Sequence, residues 1–323
     1  MPKNQSPPPV GGWRKKIVVI VGPTASGKSN LGIFLARKFG GEIISADSRQ
    51  VYRGMDIGTG KITRKEQRSV KHYLLDVANP KNPPAGGFTV SDFKKFGEKA
   101  VKDILDKNKI PFIVGGTGFY IDALVRNIDV PKIPPNKKLR AELAKQSAEQ
   151  LFSRLSVLDP RRTRIIDPKN KRRLIRALEI IEAMGKVPAL NTKYETLGAK
   201  YNTLWLGLKP KNLERKIKSR LETRLKQGMV KEVKSLLARG VSKKRLYDFG
   251  LEYRWVSEYL SGKISLTEMK NGLYKAIVKY SKRQMTWFKR NKEIHWLVPS
   301  EVEGINPPAG GQKEATKLIE EFI

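Results

Sequence analysis

The sequence predicts an α/β protein: a P-loop NTPase-like parallel sheet flanked by helices, interrupted by an inserted helical domain. Three observations carry this. Short β-branched runs alternate with stretches of helical period over the first 126 residues, the pattern of a parallel sheet covered on both faces. The first run ends in GPTASGKS (22–29), which fits the phosphate-loop pattern G-x-x-x-x-G-K-[ST] between a strand and a helix. A Pro-rich stretch, NIDVPKIPPN (127–136), then leads into a long basic helical segment, and a further strand-like run begins at 201.

KIVVIVG (16–22) reads as a buried strand ending at glycine. GKSNLGIFLARKFG carries Leu31, Phe34, Leu35 and Phe39 at helical spacing, and Gly40 stops it. GEIISA is a second strand and HYLLDV (72–77) a third. TVSDFKKFGEKAVKDILDKNK (89–109) is a long amphipathic helix with Phe93, Phe96, Ala100 and Ile104 on one face. IPFIVGG (110–116) is a fourth strand. Residues 137–184 are helical, and 127–200 carries about nine net positive charges. After the loop GKVPALNTKYETLGAK, YNTLWLGL (201–208) returns the chain to the core. Helices follow to about 291, then a short strand IHWLV. The expected organisation is a flexible tail (1–15), a first core part (16–126), a basic insertion (127–200), a return to the core (201–298) and a C-terminal tail or helix (299–323).

At 323 residues and 39% hydrophobic content the chain is globular and long enough for two structural units. The absence of cysteine excludes disulfides, thiolate catalysis and cysteine zinc sites. His72 and His295 are too few and too far apart to suggest a metal cluster. A net charge of +34, from 65 basic and 31 acidic residues, favours a polyanionic partner. Nucleic acid is the first candidate and an anionic membrane surface the second. No apolar run approaches the ~20 residues that span a bilayer. The start, MPKNQSPPPVGGWRKK, lacks a signal-peptide core, so the expected location is the cytoplasm.

The segment Gly22, Pro23, Thr24, Ala25, Ser26, Gly27, Lys28, Ser29 is the expected site for a di- or triphosphate. Gly22 and Gly27 allow backbone angles that let neighbouring N–H groups converge on phosphate oxygens at a helix N-terminus. Lys28 adds charge, and Ser29 can ligate Mg²⁺. The second strand delivers Asp47 to its tip. An acid there can hold Mg²⁺, act as a base or cap a helix. The fourth strand ends in GGTGFY (115–120) instead of an acid, a poor match to an ATPase. Thr117 there can donate a hydrogen bond or cap the next helix.

GPTASGKS, EIISADSRQVYRGMDIGTGK (42–61), VGGTGFYIDAL (114–124), KRRLIRALEI (171–180), FGLEYR (249–254) and KRQMTWFKR (282–290) occur in this order. Together they are similar to the signatures of the tRNA dimethylallyltransferases, also called tRNA isopentenyltransferases. The resemblance runs from about 16 to 298. Plant adenylate isopentenyltransferases are relatives, but GPTASGK and SADSRQVYRGMDIGTGK resemble the tRNA enzymes.

The resemblance implies transfer of a dimethylallyl group from dimethylallyl diphosphate to N6 of adenosine 37, in tRNAs reading codons that begin with U. It implies Asp47 as general base, Thr117 as an orienting group, and the phosphate loop with Mg²⁺ on Ser29 as the diphosphate site. Arg220 and Arg224, four apart on one helical face, match the family's paired arginines, and Arg283 is a further diphosphate candidate. Trp287 and Phe288 beside it read as core. Ser48, Arg49 and Gln50 are expected to hold the RNA beside Asp47. Arg172, Arg173 and Arg176 of the insertion are expected to grip the tRNA, with Leu174, Ile175 and Leu178 facing inward. The family implies a monomer. A P-loop nucleoside or nucleotide kinase and a non-catalytic RNA-binding NTPase remain the alternatives. The kinase explains neither the basic insertion nor the ordered set of motifs, and the NTPase predicts RNA-stimulated ATP turnover with no change in RNA mass.

Overall fold

Strands β1 (Lys16–Val21), β2 (Glu42–Ala46), β3 (His72–Tyr73), β4 (Pro111–Gly115), β5 (Asn202–Leu208) and β6 (Ile294–Leu297) pair in parallel in the order β3-β2-β4-β1-β5-β6. The computed structural model describes residues 16–81, 87–126, 128, 130–131, 133–188, 201–299 and 310–323. The expected tail 1–15 and most of the loop before β5 lie outside the described residues.

Alternate strand residues point to opposite faces, and both faces are apolar here. Val18, Ile20, Ile43, Phe112 and Leu206 pack under α1 (Lys28–Lys38), whose Leu31 and Leu35 are buried. Val19, Val21, Ile44 and Ile113 face the other way. A short helix, α2 (Arg64–Ser69), follows the β2 loops. The second face is covered by α3 (Val90–Leu105) and α4 (Gly118–Val125), through Phe93, Ile104, Ile121 and Leu124. A Thr89–Asp92 capping box starts α3.

The insertion forms α5 (Lys137–Leu143), α6 (Ala148–Leu158), α7 (Pro160–Thr163) and α8 (Lys171–Met184) around its own core of Leu143, Leu151, Leu155, Leu174 and Leu178. Ile175 is half-buried against that core. The chain then returns through β5 to α9 (Leu213–Lys226), α10 (Met229–Ala238), α11 (Lys243–Phe249), α12 (Leu251–Leu260) and α13 (Leu266–Phe288). These helices clamp Val51, Tyr52 and Met55, just beyond β2, among Met229, Val233, Tyr253 and Leu273. Phe288 is buried under the sheet, while Trp287 is half-buried and donates its indole N–H to Asp122 at 2.9 Å. Both therefore serve the core, as expected.

Two expectations are corrected. The third strand is two residues long, not six, because Leu74 and Asp76 adopt left-handed backbone (φ 62° and 57°) and turn the chain away. Phe96 is 45% exposed rather than buried, with its ring stacked on Phe88 at 6.0 Å. Of the two forms expected for the C-terminus, the described part is a helix: α14 (Gly310–Phe322) buries Ala315 and Ile319 in the core shared with α1.

Glu42 opens β2 at the edge of the sheet away from Asp47, with its side chain 5% exposed. Its carboxylate accepts hydrogen bonds from Tyr73 (2.7 Å), Lys109 (2.9 Å) and Lys107 (3.0 Å). Burial alone pushes its pKa up, but the bonds from Lys109, Tyr73 and Lys107 prevail and hold it at about 2, below the usual 4.5. A depressed folded pKa gives stability that is full above 4.5 and is lost as pH falls through about 2. Glu42→Gln is therefore expected to cost about 2 kcal/mol near pH 7 and nothing near pH 2. Unfolding curves at both pH values check this, and an equal loss at both would contradict it.

Candidate active site

The strand register assembles the site. Val21, Gly115 and Ala46 share one row across β1, β4 and β2. The residues that follow, Gly22, Gly116 and Asp47, therefore emerge side by side at the carboxyl edge, where open α/β sheets bind ligands. The sequence separates these residues widely, yet parallel pairing without offset brings them together.

The phosphate loop turns on Gly27 (φ 88°), which caps α1 in left-handed backbone. No acid occupies the first turn of α1, so its N-terminus keeps its positive character. Lys28 Nζ folds back to donate to the Pro23 carbonyl at 3.0 Å. The Thr24 N–H donates to Gln284 Oε1 (2.8 Å), and Gln284 Nε2 donates to the Gly116 carbonyl (2.9 Å). Gln284 of α13 thus ties the loop to the end of β4. Ser26 Oγ is buried without a hydrogen-bond partner among the described residues.

A cavity of about 870 Å³ opens over this loop, lined among others by Lys28, Ser29, Asp47, Arg220, Arg224 and Tyr280. Arg220 and Arg224 reach in from α9. Burial, then Arg220, push the Lys28 ammonium down to about 8, although Asp47 opposes this. Burial, then Arg224, likewise push Arg220 downward. Three cations facing one cavity destabilise one another, and a polyanion between them would reverse that. Gly60, in left-handed backbone, lines the cavity directly against these two arginines. A methyl group there would stand 1.8 Å from Arg224 Nη2 and 2.2 Å from Arg220 Nη2.

Asp47 is half-buried at the cavity wall. Its Oδ1 accepts the N–H groups of Arg49 (2.8 Å) and Gln50 (3.2 Å), an Asx turn that fixes the carboxylate. Its Oδ2 accepts no hydrogen bond among the described residues. Thr117 precedes α4 without capping it; its Oγ1 accepts the Ser48 N–H at 3.1 Å. The two expected catalytic residues therefore meet at one turn.

Other expected residues are placed differently. Arg49 Nε donates to the Phe249 carbonyl (2.7 Å) and Nη1 to the Ser48 carbonyl (3.1 Å), so it braces the turn against α11. Gln50 accepts from Ser45 Oγ (3.0 Å) and reaches the Thr59 and Gly60 carbonyls (3.4 and 3.3 Å), lining the cavity while bracing its wall. Arg283, expected at the diphosphate, is exposed on α13 against the Tyr280 ring at 5.7 Å and does not line the cavity. The α13 helical turn directs Gln284 inward in its place. In the insertion, Arg173 is exposed, Arg172 pairs with Asp248 of α11, and Arg176 bonds Glu179 and the Ile133 carbonyl. Glu179 is 1% exposed and is also held by Arg140 at 2.7 Å, so Arg176 belongs to the internal framework of the insertion.

Sequence reasoning missed Gln284, Gly60, Glu232 and Glu252. Glu232 accepts the successive N–H groups of Asp56, Ile57 and Gly58 (2.8, 2.7 and 3.0 Å) and the Tyr253 hydroxyl (2.9 Å), clamping the loop that carries Gly60. Gly60, Glu252 and Gln284 lie inside the family-like motifs at 42–61, 249–254 and 282–290, a signal that could have found them. Glu232 carried no local signal.

Among the described residues, no helix is long and apolar enough to cross a membrane. The chain matches the IPP transferase family over residues 50–291. It is 39% identical over 289 residues to the tRNA dimethylallyltransferase of Pelotomaculum thermopropionicum, covering 88% of this chain and 91% of that one. It is 42% identical over 286 residues to tRNA dimethylallyltransferase 2 of Syntrophotalea carbinolica, covering 87% and 93%. Its fold is similar to that of a tRNA isopentenylpyrophosphate transferase from Staphylococcus epidermidis (TM-score 0.69, 33% identity, 95% and 99% covered). It is also similar to a eukaryotic dimethylallyltransferase acting on tRNA (TM-score 0.78, 26% identity, 95% and 79% covered).

Proposed function

The chain belongs to the IPP transferase family, and on that premise we propose that it transfers a dimethylallyl group from dimethylallyl diphosphate to N6 of adenosine 37 in tRNAs reading codons that begin with U. The observation that carries this reading is the facing of one free carboxylate oxygen, on Asp47, and three cations, Lys28, Arg220 and Arg224, across one cavity.

In this reaction the allylic C–O bond breaks and its electron pair leaves with the diphosphate, while N6 forms the new C–N bond. Negative charge grows on the leaving group, and groups fixed in advance stabilise it most in the transition state. The loop N–H groups, Lys28, Arg220 and Arg224 supply that field. N6 must shed a proton as it attacks, and Asp47 Oδ2 is the acceptor, because Oδ1 is committed to its own turn. Thr117 holds the Ser48 amide and so sets the direction of that turn. The adenosine must leave its stack to reach the cavity.

Mg²⁺ fits this donor set. It favours oxygen ligands, retains water and binds largely through substrate phosphates; Ser29, which carries a hydroxyl, lines the same cavity as Asp47. Ser29 would hold the ion, which when bound would neutralise charge on the diphosphate oxygens. We place the enzyme in the cytoplasm as a monomer.

The test is to incubate the purified protein with unmodified tRNA and either dimethylallyl diphosphate or ATP, then weigh the tRNA nucleosides. Dimethylallyladenosine from the prenyl donor alone is expected; phosphoryl transfer without prenyl transfer would overturn the reading. The insertion's grip is tested at Arg173, since charge reversal at Arg176 would break the Glu179 framework. Arg173→Glu is expected to weaken tRNA binding about three- to tenfold and to reduce the salt slope by about one. Unchanged affinity near physiological salt would discredit this helix as a phosphate contact.

A further inference from the structure

We propose that Glu252 is a positioning residue for the diphosphate site: its carboxylate grips one edge of the Arg224 guanidinium so that the other edge faces the leaving group. The inference rests on the reading of the cavity as a diphosphate site.

Arg224 is 7% exposed. Its Nη1 donates to Glu252 Oε1 and to the Gly58 carbonyl, each at 3.0 Å. Its Nη2 is buried and has no hydrogen-bond partner among the described residues. An orphaned guanidinium nitrogen is costly unless a ligand completes it. This one lies against Gly60, where no side chain blocks it, and both residues line the cavity. One edge of the guanidinium is therefore fixed by protein, while the other is unpartnered among the described residues and enclosed against Gly60 at the cavity wall.

Glu252 itself is buried (9% exposed) and does not line the cavity, so it acts through Arg224. It sits in the first turn of α12, directly after Gly250 (φ 76°) and Leu251 (φ 38°). That left-handed break between α11 and α12 turns the side chain inward. A carboxylate behind an anion site weakens the local positive field. A site built for charge alone would therefore leave the position neutral. The acid is explained by direction: the free rotation of a long side chain is removed, and the planar fork is presented to the phosphates ready-oriented.

Two conservative variants separate direction from charge. Glu252→Gln keeps the reach and the acceptor oxygen but removes the charge. Glu252→Asp keeps the charge but withdraws the acceptor by one methylene. Affinity for inorganic diphosphate is measured by calorimetry on the full chain, with thermal unfolding recorded for each variant. Binding within about threefold of wild type is expected for Glu252→Gln, and a loss of about tenfold for Glu252→Asp, the scale of one charge-assisted hydrogen bond. The Asp variant should raise the KM for dimethylallyl diphosphate and leave tRNA affinity unchanged. In an Arg224→Ala background the Gln and Asp variants should bind alike. The reverse order, with Asp tolerated and Gln impaired, would make Glu252 a charge balance and overturn the proposal. Equal affinities in the two variants would overturn it as well. If the wild-type protein binds no diphosphate, the reading of the cavity falls first, and this inference with it.

Discussion

Asp47→Asn is expected to lower prenyl transfer by about 10²- to 10⁴-fold, the usual scale for a lost general base, while leaving diphosphate and tRNA affinity near wild type. The Asn variant separates the two jobs of this residue. Oδ1 accepts the Arg49 and Gln50 N–H groups, and an amide oxygen can take over that role. The amide cannot accept a proton from N6. Asp47→Ala removes both functions, so it is expected to lose transfer and also stability, by about 1 kcal/mol for the lost turn bonds. Single-turnover transfer, tRNA binding and thermal unfolding distinguish these effects. Transfer at wild-type rate by the Asn variant would remove Asp47 as the base and leave it as the organiser of the turn.

Lys28→Ala is expected to cut kcat/KM for dimethylallyl diphosphate by about 10²- to 10³-fold, the scale of one preorganised electrostatic donor. Its pH profile carries a sharper signature. Burial and then Arg220 hold Lys28 at about 8 in the ligand-free site. The free enzyme thus loses this charge as pH rises through about 8, and kcat/KM for the donor should fall there. A bound diphosphate stabilises the ammonium and raises its pKa. The alkaline limb of kcat should therefore lie at higher pH than that of kcat/KM, and donor binding above pH 8 should take up a proton. Lys28→Ala should abolish the limb near 8. Its persistence in that variant would assign it to another group.

Much of the site could be read in the chain because its chemistry is written in short contiguous strings. The phosphate loop needs glycine at 22 and 27, Lys28 and Ser29 in fixed spacing, and the strand–loop–helix reading placed it correctly at the β1–α1 junction. Asp47 and Thr117 each closed a recognisable strand-end motif. The reading failed where a side chain's partner lies far away in sequence. Arg49 looks like a phosphate ligand until it meets the Phe249 carbonyl. Arg176 looks like an RNA contact until Glu179 and Ile133 claim it. Arg283 and Gln284 are neighbours in one motif, and only the packing of α13 decides which of them turns inward.

The sequence by itself determined the parallel α/β core, the phosphate loop, the basic insertion and the family resemblance. Each of these depends on local periodicity, on spacing within one turn or on composition. The tertiary structure alone decided which charges stay available to a substrate. Zero-offset register of β1, β2 and β4 brings Asp47 to the phosphate loop, and helices more than a hundred residues later supply Gln284, Glu232, Arg220, Arg224 and Glu252. A charged side chain in a folded protein is free or committed according to its nearest neighbours in space, and those neighbours are chosen by strand register and helix packing.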